Sequence, residues 1–252
     1  MLARLSLVNF RLLNQRLNRP YDERFAHVMA ETACYLLART QATVAFQHGD
    51  EISLLFPNEV QGVPLIFGGR TQKLCSTLAS ACTAKFAQQM GVSLPAQAEW
   101  LQTFDAKVWS VPSREDATMY FDWRQMMALR VSAQALGALH FSPEELAGKS
   151  PVRGMRKLEL KGVDLTQYPK SFFQGQFFRK SAKPKEAMTA GSGAGAAPAT
   201  ELSGQAQTQM NARVSRSSSK SKGLHALDMP PLPFLGNAVD VFFEDAEPLL
   251  RA

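Results

Sequence analysis

The chain has 252 residues, of which 45% are hydrophobic and 20% charged; that suffices for one full-sized buried core with additions and falls short of two large domains. A formal net charge of +6 fits a polyanionic partner such as nucleic acid, and fits equally a mildly basic protein with none. No apolar run approaches the roughly 18 residues of a membrane span, and the N-terminus lacks the long apolar core of a signal peptide. A soluble, cytoplasmic protein with no membrane partner is therefore expected.

In chain order, Leu2 to Val8 reads as a strand from the near-alternation of its aliphatic residues. Pro20, followed by Asp22 and Glu23, opens a helix with acids in its first turn, and apolar residues at steps of three and four carry it to about Arg39. Ala42 to Phe46 and Glu51 to Phe56 read as two strands. Gln47-His-Gly-Asp50 between them makes a β-hairpin. Arg70 to Met90 is a second long helix, with Leu74, Leu78, Ala81 and Phe86 on one side. Phe104 to Val111 is a strand stopped by Pro112, and Glu115 to Leu139 a third helix. Residues 145–180 mix short elements with basic residues. The three cysteines, Cys34, Cys75 and Cys82, are odd in number and have no C-x-x-C spacing, which favours reduced, buried thiols over a disulfide or zinc site.

The order β-α-β-β-α-β predicts an α+β fold of the ferredoxin-like or polymerase palm type: an antiparallel sheet with helices on one face, plus a C-terminal extension. Residues 1–180 form this domain. Residues 181–222 are rich in Gly, Ala, Ser, Lys and Arg and have too little apolar surface to offset the entropy of ordering, so a disordered linker is expected there. Residues 223–252 turn apolar and acidic again and are expected to dock, on this chain's own body or on a partner.

The chemistry concentrates at the central hairpin. Asp50 lies in the turn and is the natural candidate ligand for a metal; Glu51 follows on the strand, where adjacent side chains point to opposite faces. Mg²⁺ is bound by a few carboxylates, waters and phosphate oxygens. A palm-type site adds a second carboxylate from the end of the first strand, so that two metals hold the attacking and leaving oxygens. By itself an Asp-Glu pair at a hairpin tip is more often a solvated turn.

Several blocks carry more information together. Pro20-Tyr-Asp-Glu-Arg-Phe25, Asp50-Glu-Ile-Ser-Leu-Leu-Phe56, Lys73-Leu-Cys-Ser-Thr-Leu-Ala79, Phe104-Asp-Ala-Lys107, Tyr120-Phe-Asp-Trp-Arg-Gln125, Gly162-Val-Asp-Leu165 and Tyr168-Pro169 stand in the order and spacing of the tRNA-His guanylyltransferase family, which the chain resembles over roughly residues 1–180. The resemblance implies a palm-like core using two Mg²⁺ ions. It implies ATP and GTP as substrates, tRNA as partner, addition of a nucleotide to the tRNA 5′ end in the 3′–5′ direction, and a homo-oligomer (dimer or tetramer). By position, Asp50 would be a metal ligand and catalytic, with Glu51 its acidic neighbour. Lys73, Ser76 and His48 would lie near the nucleotide, and Lys107, Arg124 and Arg130 would contact tRNA or triphosphate. The alternatives are a helix-packing role for Ser76, solvated charges for Lys107 and Arg130, an exposed turn histidine for His48, and a core position for Trp123 rather than a base-stacking one.

The pattern breaks at its catalytic centre. The family's first metal motif, D-G-R-x-F, places its Asp fourteen positions before the Pro of P-F-D-E-R-F. Here that position is Ser6, in Ser6-Leu-Val-Asn-Phe10. A hydroxyl cannot replace a carboxylate's charge at Mg²⁺, and Leu7 fills the place of a glycine that lets the backbone approach closely. The family's Q-S before D-E has become His48-Gly49. Loss of one of two metal carboxylates removes several kcal/mol of transition-state stabilisation, in order of magnitude. Two readings follow: a tRNA 5′-end nucleotidyltransferase impaired by the loss, or a non-catalytic descendant that binds tRNA or nucleotide or partners an active paralogue. A cyclase-like enzyme is a weaker third, disfavoured by the Trp123-Arg-Gln125 and Pro20–Phe25 blocks.

Overall fold

In the computed structural model, residues 1–57, 59–60, 63–180 and 224–251 are described; the linker expected over 181–222 lies outside them. The elements are β1 (Leu2–Leu7), α1 (Phe10–Asn14), α2 (Glu23–Arg39), β2 (Val44–His48), β3 (Glu51–Leu55), the small hairpin β4 (Glu59–Val60) and β5 (Val63–Pro64), α3 (Thr71–Ser93), α4 (Pro95–Ala98), β6 (Phe104–Trp109), α5 (Arg114–Gly137), α6 (Pro143–Leu146), α7 (Pro151–Leu160), α8 (Lys170–Gln174), β7 (Gln176–Lys180), β8 (Leu224–Leu227) and α9 (Ala238–Phe243). The main sheet has the order β6-β1-β3-β2-β7-β8 and every pairing in it is antiparallel. Its first four strands have the ferredoxin-like order. β7 and β8 extend it beyond the β2 edge.

One face is covered by α2 and α3. Asp22 caps α2, its carboxylate accepting from the backbone N–H groups of Arg24 and Phe25, which fixes the start that the sequence signalled. α3 buries Leu74, Leu78, Cys82, Phe86 and Met90, a strict step of four that keeps one narrow stripe inward. These side chains meet Ala3, Leu5, Leu7, Ile52, Leu54, Phe104 and Phe178.

The opposite face is covered as well. On it lie Leu2, Val44, Phe46, Leu55 and Phe177, packed by Ala117, Phe121 and Ala128 of α5 and by Leu227, Met229, Leu232, Leu235, Val241 and Phe242 of the C-terminal segment. The one-faced helix layer therefore describes α2 and α3 only. β2 is buried at four successive positions, and a strand apolar on both sides needs cover on both. The C-terminal segment docks on its own chain. Buried Arg179 of β7 holds it there, with Nε 2.7 Å from Asp245 and Nη2 3.1 Å from Glu247, while Nη1 donates to the carbonyls of Val241 and Ala246.

Between α8 and β7 the backbone passes Gly175 at φ +70°, where an added Cβ would stand 2.3 Å from the Phe46 ring. Phe46 is fully buried and cannot swing away. Gly175→Ala is expected to destabilise the protein by roughly 2 kcal/mol, seen as a lower urea midpoint with an unchanged slope.

Candidate functional site

The hairpin turn is shorter than its sequence suggests. Gln47 and His48 belong to β2, which leaves Gly49 and Asp50 as the turn, Gly49 having φ +55°. Strand alternation then sets one row of side chains across the sheet on the α5 side: Ser6 lies opposite Glu51 and, on its other flank, opposite Asp105, while Glu51 lies opposite His48. The next row holds Arg4, Ser53, Phe46 and Lys107. α5 crosses above, with Tyr120 and Arg124 one turn apart on its inner side. The Tyr120 hydroxyl is 2.9 Å from Ser53 Oγ.

Glu51 is the hub of this face. Its Oε1 accepts from Ser6 Oγ at 3.1 Å and is ion-paired with Arg4; its Oε2 is 2.5 Å from Arg124 Nη2. Both carboxylate oxygens are thus occupied by the protein itself. Arg124 is only 5% exposed and lies against the rings of Phe46 and Trp123. It is enclosed rather than offered to RNA. Trp123 in turn is 47% exposed, outside the core.

Asp50 differs. Its backbone carbonyl accepts from Leu7 N–H, and its carboxyl forms no ion pair or hydrogen bond with another side chain among the described residues. Burial, and then the charge of Glu51, push that carboxyl up to about 6, against the pull of its own backbone N–H, Arg124 and Arg4. Near neutrality it is an acid held only loosely as an anion.

The two-Mg²⁺ centre implied by the sequence does not fit these side chains. Among the described residues no three of His, Cys, Asp and Glu converge as a metal site. Ser6, in the place of the second carboxylate, spends its hydroxyl on Glu51, whose oxygens are already engaged. Arg4 and Arg124 add two positive charges beside the turn, and these oppose a cation.

His48 is neither a free donor nor an exposed turn residue. Its Nε2 is 2.9 Å from the Phe172 carbonyl oxygen and 3.1 Å from Ser132 Oγ, joining β2 to α5 and α8. Burial lowers its pKa to about 4, with the Phe172 carbonyl and Glu51 resisting and Arg124 assisting. It is neutral at physiological pH.

Lys73 and Ser76 are exposed on the first turns of α3, on the other face of the sheet. Thr83 of that helix bonds Phe104 N, and Phe104 pairs with Leu7 beside the turn. Lys73 is ten residues earlier, about 15 Å along the helix axis, toward Met1. Neither is brought to Asp50. Lys107 is exposed on the edge strand opposite Arg4, on the Glu51 face; Arg130 is exposed on α5, turned away from Arg124. The sequence reading missed Arg4 and Tyr120 as members of the site. For Arg4 the signal was available, since it shares the period of two with Ser6.

Beside the turn opens a cavity of about 520 Å³. Its walls include Phe10, Pro20, Tyr21 and Asp22 together with Gln47, His48, Gly49 and Phe172. Tyr21 and Phe172 meet edge to face at 5.4 Å. The carboxylate of Asp22 is spent on Arg24 and on the N–H groups of Asn18, Arg24 and Phe25.

Residues 1–112 match the family model described as tRNAHis guanylyltransferase. Among curated proteins, the tRNA(His) guanylyltransferase of Debaryomyces hansenii is 30% identical over 113 residues, which are 43% of this chain and 41% of that protein. The match thus spans about two fifths of the relative's length. Among solved structures, a bacterial tRNA(His) guanylyltransferase (Thg1)-like protein in complex with ATP superposes with a TM-score of 0.65 at 26% identity, over 71% of this chain and 77% of the other. The Saccharomyces cerevisiae tRNA(His) guanylyltransferase gives 0.62 at 18% identity, over 70% and 83%, a likeness of fold. No helix among the described residues is long and apolar enough to cross a membrane.

Proposed function

We propose that the chain is a member of the tRNA-His guanylyltransferase family, to whose model its residues 1–112 match, and that it binds a purine nucleoside triphosphate, ATP or GTP, in the cavity beside the β2–β3 turn and brings it to the 5′ end of a tRNA without fast nucleotidyl transfer. The cavity carries this reading. Its size lies in the range of ligand sites, its walls combine aromatic faces for a base with polar edges, and it adjoins the turn that bears Asp50. The bacterial relative solved in complex with ATP supports a nucleotide as the ligand. The engagement of Glu51 by Arg4, Ser6 and Arg124 supports the absence of fast transfer, because these partners occupy both of its oxygens and place two positive charges beside the turn.

One observation favours a second reading, a slow transferase. The Asp50 carboxyl has no other side chain bound to it among the described residues, so a single cation could be drawn to it. A tRNA lacking its first nucleotide, labelled GTP and Mg²⁺ separate the two. The first reading expects calorimetric binding of GTP, and incorporation at least about a hundredfold below that of a family member with carboxylates at both positions. Incorporation at the relative's rate overturns it, as does failure of GTP and ATP to bind. Slow incorporation abolished in Asp50→Ala establishes the second.

A further inference from the structure

The hydrogen on His48 can be located from its neighbours. Nε2 is 2.9 Å from the carbonyl oxygen of Phe172, which can only accept. It is also 3.1 Å from Ser132 Oγ, and that hydroxyl already donates its proton to the same carbonyl. Facing two acceptors, Nε2 must carry the hydrogen. In a neutral imidazole the other nitrogen, Nδ1, is then a bare lone pair. Nδ1 makes no bond within the described residues, and it is not sealed away as a buried atom without a partner. His48 forms part of the wall of the 520 Å³ cavity. Turning the ring would break both Nε2 bonds, so the orientation of Nδ1 is fixed before any ligand arrives.

We propose that His48 sets the specificity of the cavity, its Nδ1 accepting a hydrogen bond from an N–H or O–H of the nucleoside part of the bound nucleotide. The proposal rests on the nucleotide reading given above. The triphosphate is excluded as the partner, since its oxygens are acceptors and would face the imidazole lone pair with their own. The donor is a base amine or a ribose hydroxyl. The family motif has Gln at this position, an amide that can donate as well as accept. The change to His48 narrows the position to an acceptor and so makes it selective for a donor.

The test compares the affinity of the full chain for GTP, inosine triphosphate (no exocyclic amine), 2′-deoxy-GTP and 3′-deoxy-GTP. One of the three analogues is expected to bind about tenfold more weakly than GTP, because it leaves Nδ1 without a partner, and which one it is identifies the donor. In His48→Gln the discrimination is expected to shrink, since the amide can turn to present either group. A second measurement needs no variant for its main result. In protein labelled with ¹⁵N-histidine, His48 (assigned by comparison with His48→Gln) should show the Nε2–H tautomer when free. Its Nδ1 resonance should shift when GTP is added and stay in place with inorganic triphosphate. GTP binding with all four nucleotides equal and Nδ1 unmoved overturns this proposal and leaves the nucleotide reading standing. A proton on Nδ1 in the free protein also overturns it. No binding of any nucleotide sinks both.

Discussion

Glu51→Ala is expected to destabilise the protein by about 3–5 kcal/mol, the cost of leaving a buried charge without its partner. The size follows from Arg124, which is 5% exposed and has Glu51 as its ion-pair partner at 2.5 Å. Arg4 loses its partner too but keeps access to water. Glu51→Gln should cost less, because the amide oxygen still accepts from one arginine. In the double variant Glu51→Ala, Arg124→Met the loss should be well below the sum of the two single losses, since the second change removes the stranded charge. The exposed pair Arg114–Glu244, 57% and 60% accessible, gives the contrast: its removal should cost under about 1 kcal/mol. Urea denaturation of the set decides the matter. It also separates two roles for Glu51. A carboxylate held free to bind cations would repel Asp50, so its removal would stabilise the apo-protein, whereas the hub described here requires a large loss.

Asp50→Asn is expected to act in the opposite direction, stabilising the protein by up to about 3 kcal/mol at pH 7. The folded state raises the Asp50 carboxyl from 3.8 to about 6. Between those values the folded chain holds a proton that the unfolded chain has released. Stability from this group is therefore lost as pH rises from about 4 to about 6, and an amide does not titrate. His48 has the reverse slope. Its pKa falls from 6.5 to about 4 on folding, so the unfolded chain takes up a proton first and stability is lost as pH falls through that interval. In the unaltered protein the two slopes largely offset each other from pH 4 to 6. In Asp50→Asn the slope of His48 should stand alone, and the melting temperature should drop steadily below about pH 6.5. A flat profile in the variant, or no gain at pH 7, would count against the burial of either group. A carboxyl that the fold would be more stable without is a common mark of a functional position.

Strands β1, β2, β3 and β6 and the long helices α2, α3 and α5 were legible because each carries a local signal. β1 alternates, Asp22 and Ser113 cap the helices that follow them, and α3 repeats every fourth residue. β7 and β8 were not legible. Phe177 and Phe178 are adjacent and both buried, one on each face of the sheet, so no alternation announces a strand. The partner β8 is separated from β7 by the whole of residues 181–223. The second face escaped for the same reason, being built from α5 and a distant tail. At the site, Asp50 and Glu51 could be picked out from the sequence. What binds Glu51 could not, because Arg4 and Arg124 meet it only through the register of β1 with β3 and the crossing of α5. His48 was misjudged by two residues of turn length, which moved it from a solvated tip into a strand end beneath α8.

The pairing of β7 with β8 also imposes an order on the birth of the protein. Everything through β7 can collapse as it leaves the ribosome, since β1 to β6 and their helices are complete by then. Phe121 and Phe177, which Phe242 meets at 5.2 and 5.5 Å, must wait for some sixty further residues to be synthesised, in rough terms, before that ring can reach them. Through that interval the nascent chain carries a row of bare aromatic rings and an unpaired sheet edge, the features that recruit chaperones or a neighbouring chain. A stop codon before Leu224 would leave the chain in that unfinished state permanently.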